Sequence, residues 1–189
     1  MRIIAGQYRG RRLSTVKDLS VRPTTDRAKQ SIFDILSNRL MFEGIQVLDL
    51  FAGSGSLGLE ALSRGASSVI FVEKSPVVKS ILEKNIQTLG CKNNVTVVQG
   101  DVFWYLQHTS GTFDLVFADP PYRLETIGSI PNAIFDAGVL KENAFVVMEH
   151  SKESHIELDE SKFEILEKPF GQTTVIILRA RYSSQRKDY

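Results

Sequence analysis

Cysteine is nearly absent from this chain: Cys91 is the only one among 189 residues. One thiol can form neither an internal disulfide nor, by itself, a thiolate metal site. Its loop-like surroundings, Gly90-Cys91-Lys92-Asn93-Asn94, argue against a chemical role. Long apolar runs are missing too; none approaches the ~18 residues needed to span a bilayer. The opening Met1-Arg2-Ile3-Ile4-Ala5-Gly6 lacks the apolar stretch and small-residue cleavage site of a secretory signal. A cytoplasmic protein without a membrane partner is the expectation. The three histidines, His108, His150 and His155, have no ligand-spaced partners, so no metal is expected. Internal repeats are absent, which excludes solenoids and propellers.

Net charge is also small, only +1, but it is unevenly placed. Residues 1–40 hold nine Lys/Arg against three Asp, whereas the remaining 149 residues carry 14 basic and 19 acidic groups. A basic amino-terminal segment on a mildly acidic body suits a face that meets a polyanion. A solvated arm would have the same composition, so charge alone leaves both readings open.

Hydrophobic patterning is what the chain has in plenty. From Gln46 onward, apolar strand-like runs alternate with segments of helical period. Val47–Phe51, Ser68–Glu73, Val95–Val98, Phe113–Ala118 and Ala144–Met148 read as strands. Leu57–Arg64, the stretch after Pro76 closed by Gly90, Val102–Gln107 and a segment within 124–137 read as helices. Continuous apolar strands between helices predict a parallel sheet covered on both faces, with any ligand at the strands' carboxyl edge. The rhythm then changes. Phe163–Lys168 and Thr173–Arg181 are joined by Pro169-Phe170-Gly171-Gln172 with no helix, so they must form an antiparallel hairpin. An α/β fold of five parallel strands plus a terminal hairpin is the plan of the seven-stranded class I (Rossmann-like) methyltransferases. Ahead of it, residues 2–16 suggest a small strand pair, and Thr24 or Thr25 caps a helix running to about Leu40. Lys29 and Arg39 are expected on that helix's outer face. The division expected is 1–44 as a basic extension, 45–182 as the catalytic domain and 183–189 as a polar tail.

Gly53-Ser54-Gly55-Ser56-Leu57-Gly58, between a strand and a helix, is a Gly-x-Gly-x-x-Gly turn. Alone it is a weak signal, shared by nicotinamide, flavin and methyl-donor enzymes. Glycines there permit a sharp turn and close approach of the backbone to a ligand. Glu73 ends the next strand 18 residues after Gly55, placed to accept bonds from two ribose hydroxyls. Asp49 chooses between cofactors. A carboxylate inside an apolar strand is costly unless something pairs with it, and it would repel a dinucleotide's pyrophosphate. It suits the amino-acid end of S-adenosylmethionine, reached directly or through water. Asp101, ending the third strand, either reads an adenine amino group or caps the following helix, or does both.

Asp119-Pro120-Pro121-Tyr122 follows the fourth strand. Two prolines remove two donors and stiffen the loop, so that the Asp119 carboxylate and a backbone carbonyl converge on one spot. Two acceptors there suit an –NH2 group whose lone pair is delocalised into a ring; they would stabilise charge developing on its nitrogen. Tyr122 is placed to stack on the ring. Trp104-Tyr105 on the short fourth helix is expected to pack rather than stack on a base. The three histidines are expected to carry no function, and Glu149-His150, just past the fifth strand, is expected on the functional edge.

With both motifs in place, the chain resembles the bacterial small-subunit (16S) rRNA guanine-N2 methyltransferases, the RsmD family. The resemblance runs through Arg2-Ile3-Ile4-Ala5-Gly6-Gln7-Tyr8-Arg9-Gly10-Arg11, Arg22-Pro23-Thr24-Thr25-Asp26-Arg27, Phe51 to Arg64, Asp119 to Tyr122 and Gly171-Gln172. It implies methylation of a guanine amino group in 16S rRNA assembled with ribosomal proteins, by a monomer converting S-adenosylmethionine to S-adenosylhomocysteine. Asp119, Pro120, Pro121 and Tyr122 would then be catalytic. The cofactor would be held by Asp49, Phe51, Ala52, Gly53, Ser54, Gly55, Glu73, Lys74, Asp101, Val102 and Asp119. RNA would meet Arg2, Tyr8, Arg9, Arg11, Arg12, Arg22, Thr24 and Arg27, with Thr25 beside the channel. The rival expectations are a DNA adenine-N6 or cytosine-N4 methyltransferase, a nucleotide-binding oxidoreductase and a non-catalytic RNA-binding protein.

Overall fold

The computed structural model describes residues 1–15, 26–121 and 124–181. Each apolar run becomes a strand: β1 (Gln46–Leu50), β2 (Ser68–Glu73), β3 (Val95–Gln99), β4 (Phe113–Ala118) and β5 (Leu140–Ser151). β6 (Phe163–Phe170) and β7 (Thr173–Ala180) follow. They form one seven-stranded sheet in the order β3-β2-β1-β4-β5-β7-β6. The first five are parallel, and β7 runs antiparallel between β5 and β6, as in class I methyltransferases. β5 is longer than the apolar run Ala144–Met148 suggests, because Leu140 already pairs with Phe113 across a break in register. Strand β6 forms one edge of the sheet and carries Glu164, Glu167, Lys168 and Pro169.

The helices are α1 (Asp26–Ser37), α2 (Ser56–Ser63), α3 (Pro76–Leu89), α4 (Val102–His108) and α5 (Ile130–Asp136). Local chemistry sets their ends. Ser75 Oγ accepts from the Val78 N–H, Pro76 opens α3, and Gly90 closes it in the left-handed conformation. Along β1, alternation sends Leu48 and Leu50 into the apolar layer under α4 and α5, while Val47 enters the layer under α1, α2 and α3. Asp49 faces that second layer, toward α2.

Every residue of α2 is buried, which no amphipathic surface helix would show. The amino-terminal residues cover its outer side. Ile3, Leu13, Ile32, Phe33 and Leu36 belong to the same apolar cluster as Leu59, Leu62 and Leu82. The strand pair expected over residues 2–16 is reduced to a single antiparallel bridge between Arg2 and Arg12. Its turn needs glycine at position 6, where φ is +79° and a Cβ would fall 1.7 Å from the Ser63 carbonyl oxygen.

Lys29 corrects the sequence reading. It is fully buried rather than outward, whereas Arg39 is exposed as expected. The helix cap expected at Thr24 or Thr25 and the tail 183–189 lie outside the described residues.

Candidate active site

The glycine turn joins β1 to α2. Phe51, the first residue past the strand, adopts φ 57°, a left-handed conformation that costs a non-glycine residue energy. Ala52 N–H donates to the Val72 carbonyl at 3.0 Å, and Gly53 N–H to Glu73 Oε2 at 2.9 Å. Glu73 Oε1 accepts from Ser75 N–H at 2.8 Å. The carboxylate expected to hold a ribose is therefore also the brace that ties the turn to β2. Each of its oxygens retains a second lone pair.

The three glycines serve different ends. A Cβ on Gly53 would find only the Phe51 carbonyl oxygen, at 3.9 Å, so that position is open for close approach. Gly55 is required by the protein's own packing: its φ is +80° and a Cβ would strike Leu82 Cδ1 at 2.3 Å. At Gly58 a Cβ would lie 2.4 Å from Phe71 Cε1 and 2.9 Å from Asp49 Oδ2. The missing side chain lets Gly58 N–H donate to Asp49 Oδ2 at 2.9 Å, inside the protein.

Asp49 is 2% exposed and paired in register with Phe71 and Phe117. Burial holds its carboxyl well above the usual carboxylate range. The Gly58 N–H works against that rise, while the charges of Asp119 and Glu73 add to it. The electrostatics therefore tie together three acidic groups from β1, β2 and the loop after β4. Asp119 is half-buried, Pro120 buried and Pro121 exposed. The Pro121 carbonyl accepts from Leu124 N–H at 2.9 Å and closes the loop. Tyr122 lies outside the described residues.

The remaining expected cofactor residues lie around this edge. Asp101 caps α4, accepting from Phe103 N–H at 3.0 Å and Trp104 N–H at 3.3 Å, and its Oδ2 meets Lys74 Nζ at 3.3 Å. Slight burial pushes its pKa up, but the Trp104 N–H, Lys74 and the Phe103 N–H together bring it below the ordinary value. Lys74 is exposed, Ser54 half-buried, and Val102 turns its side chain into the core under α4. Gly100 N–H donates to the Glu73 carbonyl, which holds the Asp101 corner against β2.

Of the residues expected to meet RNA, Arg2, Arg9, Arg12 and Arg27 are exposed, and Arg2 pairs with Asp26 at 3.4 Å. Arg11 Nη2 donates to the Thr88 carbonyl at 2.7 Å, so its guanidinium also fastens the arm to α3. Tyr8 is half-buried against the apolar cluster. Arg22, Thr24 and Thr25 lie outside the described residues. Glu149 and His150 are inside β5 and buried, not on an open edge. Among the described residues no group of His, Cys, Asp and Glu is arranged to hold a metal, and no helix is long and apolar enough to cross a membrane.

Glu60 and Asn85 had no place among the expected residues, and Lys29 had the wrong one. Glu60 on α2 is fully buried and accepts from the N–H groups of Ile4 (2.7 Å) and Ala5 (3.0 Å). It also pairs with Arg64 at 3.0 Å and Lys29 at 3.5 Å. Lys29 in turn donates to the Arg2 carbonyl at 2.7 Å. Burial lowers its pKa, with Glu60 opposing that shift. Asn85 accepts from Ser14 N–H and donates to the carbonyls of Ser14 and Ser54, stitching the arm to the glycine turn. A polar residue in the apolar stripe of α3 was the available signal. A concavity of about 450 Å³, lined by Tyr8, Glu43, Ser63, Arg64 and Ser67, opens at the amino-terminal ends of β1 and β2, the edge of the sheet opposite to Glu73 and Asp119.

The family model described as conserved hypothetical protein 95 matches residues 1–179. Ribosomal RNA small subunit methyltransferase D of Escherichia coli (strain K12) is 38% identical over 154 residues, covering 82% of this chain and 76% of that protein. The Haemophilus influenzae protein of the same name is 36% identical over 174 residues, covering 90% and 89%. The solved structure of yhhF from Escherichia coli superposes with a TM-score of 0.84 at 34% identity, covering 97% of this chain and 99% of that one. Fold, motifs and these relatives agree: the chain belongs to the RsmD family of methyltransferases.

Proposed function

We propose that this chain transfers a methyl group from S-adenosylmethionine to the exocyclic N2 amino group of a guanine in 16S rRNA, in the assembled or assembling 30S subunit. One observation carries the reading: Asp49 on β1, Glu73 at the end of β2 and Asp119 in the diproline loop after β4 stand at the carboxyl edge of the sheet around the glycine turn, where Glu73 bonds Gly53 N–H and Asp49 bonds Gly58 N–H. Burial first, and then the charges of Asp119 and Glu73, raise the pKa of Asp49. Such a cluster is unfavourable until a cation joins it. S-adenosylmethionine fits, since it is positive at its sulfonium and its ammonium and supplies an electrophilic methyl carbon. The open space at Gly53 is room for its approach.

The chain's own residues then divide the work. Glu73 and Asp101 hold the nucleoside end, and Asp49 faces the amino-acid end. Asp119 and the Pro120 carbonyl accept the two hydrogens of the base amino group, fix its nitrogen in line, and stabilise the charge that grows there. S-adenosylmethionine would supply the methyl carbon, its sulfur–methyl bond breaking to leave S-adenosylhomocysteine, while the amino nitrogen gives up one proton to Asp119 or to water. Tyr122 stacks on the base, an interaction worth about 1–3 kcal/mol. Arg2, Arg9, Arg12 and Arg27 meet the surrounding RNA, and Tyr8, Arg11, Arg22 and Thr24 are assigned to the same contact. The reaction is cytoplasmic and needs no second subunit.

A transfer assay with labelled S-adenosylmethionine, offering 30S particles, naked rRNA and DNA in parallel, tests this. Label should enter guanine N2 of the particles and fall about 10²–10³-fold on Asp119→Ala. Label on DNA alone would make the enzyme an adenine or cytosine methyltransferase instead. Replacing Arg9, Arg11 and Arg12 by Ala should lower the salt slope of RNA binding by roughly 2–3 while cofactor affinity stays unchanged. An unchanged slope would remove the arm from the RNA contact.

A further inference from the structure

Among the described residues, one large aromatic side chain is left mostly exposed. Trp104, expected to pack, is 57% exposed, while its neighbours Tyr105 and Leu106 on α4 are buried. Its ring lies against that of His108, centroids 4.3 Å apart and planes 18° from parallel. His108 Nδ1–H donates to the Trp104 carbonyl at 2.7 Å, which fixes the imidazole in that position. The other large apolar residues exposed among the described residues, Met41, Val77 and Leu166, are aliphatic and none is held in such a stack.

We infer that Trp104, backed by His108, is a stacking platform for an unpaired RNA base that flanks the one being methylated. This deepens the rRNA reading above and rests on it. Position supports the assignment. Trp104 is in the first turn of α4, on the rim where Asp101 caps the helix and Gly100 is tied to Glu73. In the sheet order β3-β2-β1-β4, Asp101 lies three strand spacings from the Asp119 loop, roughly 14 Å. That separation is too large for the base at Asp119 and suits a neighbour along the strand.

Chemistry selects a base over another occupant. Every nucleobase has a π-face, and a ring already fixed in parallel orientation accepts one without first paying the entropy of ordering it. α4 carries no acidic residue, and Lys74, with its side chain 78% exposed, stands beside Asp101 where a backbone phosphate would pass. An aliphatic protein contact would require neither the parallel stack nor the cation.

Trp104 is the chain's only tryptophan, so its fluorescence reports on the site directly. Protein saturated with S-adenosylhomocysteine should show strong quenching when titrated with single-stranded oligoadenylate. In methylation of 30S particles, Trp104→Leu should raise KM about fivefold or more, with little change in kcat, and Trp104→Phe should restore most of the loss. Emission unmoved by oligoadenylate overturns the platform, as does a Leu variant that performs like Phe. A KM defect on particles without quenching by RNA assigns the surface to a ribosomal protein, which also overturns it. Quenching in a protein that labels no rRNA would instead strike the substrate reading and leave the stack standing.

Discussion

Asp49 and Glu60 are buried to nearly the same degree and lie on adjoining elements, yet their surroundings are opposite. Glu60 meets two cations and two backbone N–H groups, so each oxygen is satisfied. Asp49 has the Gly58 N–H and, facing it, the charges of Asp119 and Glu73. One carboxylate closes the structure, joining α1, α2 and the arm. The other is held at a cost that a bound cation would relieve. Burial alone therefore separates neither role; the sign of the neighbours does.

The sharpest way to break the contrast is to remove Glu60. Glu60→Ala leaves the buried Lys29 with the Arg2 carbonyl but without its anionic partner, and leaves two N–H groups unsatisfied, and should lower unfolding free energy by about 3–5 kcal/mol in urea titration. A loss under about 1 kcal/mol would show that the arm is seated by apolar packing instead. Gly58→Ala tests the other side: the new methyl must displace Phe71 or the Asp49 carboxylate, costing about 1–3 kcal/mol and weakening cofactor binding. Cofactor affinity equal to the parent's would mean that the Asp49–Gly58 bond does not shape the site.

Asp49→Asn should give the smallest effect and the opposite sign. It keeps an acceptor for Gly58 but removes the repelled charge, so the cofactor-free protein should gain about 0.5–2 kcal/mol while methyl transfer falls. The pH dependence follows from the raised pKa of Asp49. The native state holds this proton more tightly than the unfolded chain does. The parent therefore gains stability as pH falls through that raised value, and the gain is complete below the ordinary carboxylate range. The Asn variant should lack this component, seen as a parent-minus-variant difference in melting temperature that shrinks on acidification. A flat difference would mean that Asp49 is already satisfied.

The strands, their order of direction and the acidic edge were legible because apolar runs, glycines and diprolines act locally. Asp49 stood out in the sequence as a charge inside an apolar strand. Glu60 and Lys29 did not, because helical periodicity assigns charges to solvent, and only the chain folding back over α2 reverses that. Arg11 divides its guanidinium between an internal carbonyl and whatever lies outside, a division that charge counting cannot see. Trp104 failed for the converse reason: its apolar neighbours on α4 suggest packing, while the helix's rotation turns it outward.

The outer strand β6 also sets how the molecule tolerates crowding. An approaching strand would need a continuous ladder of donors, and Pro169 supplies none. It would also have to bring its own side chains alongside Glu164, Glu167 and Lys168. Growth of the sheet into a filament or a side-by-side pair is thus discouraged on that flank by covalent structure and charge together.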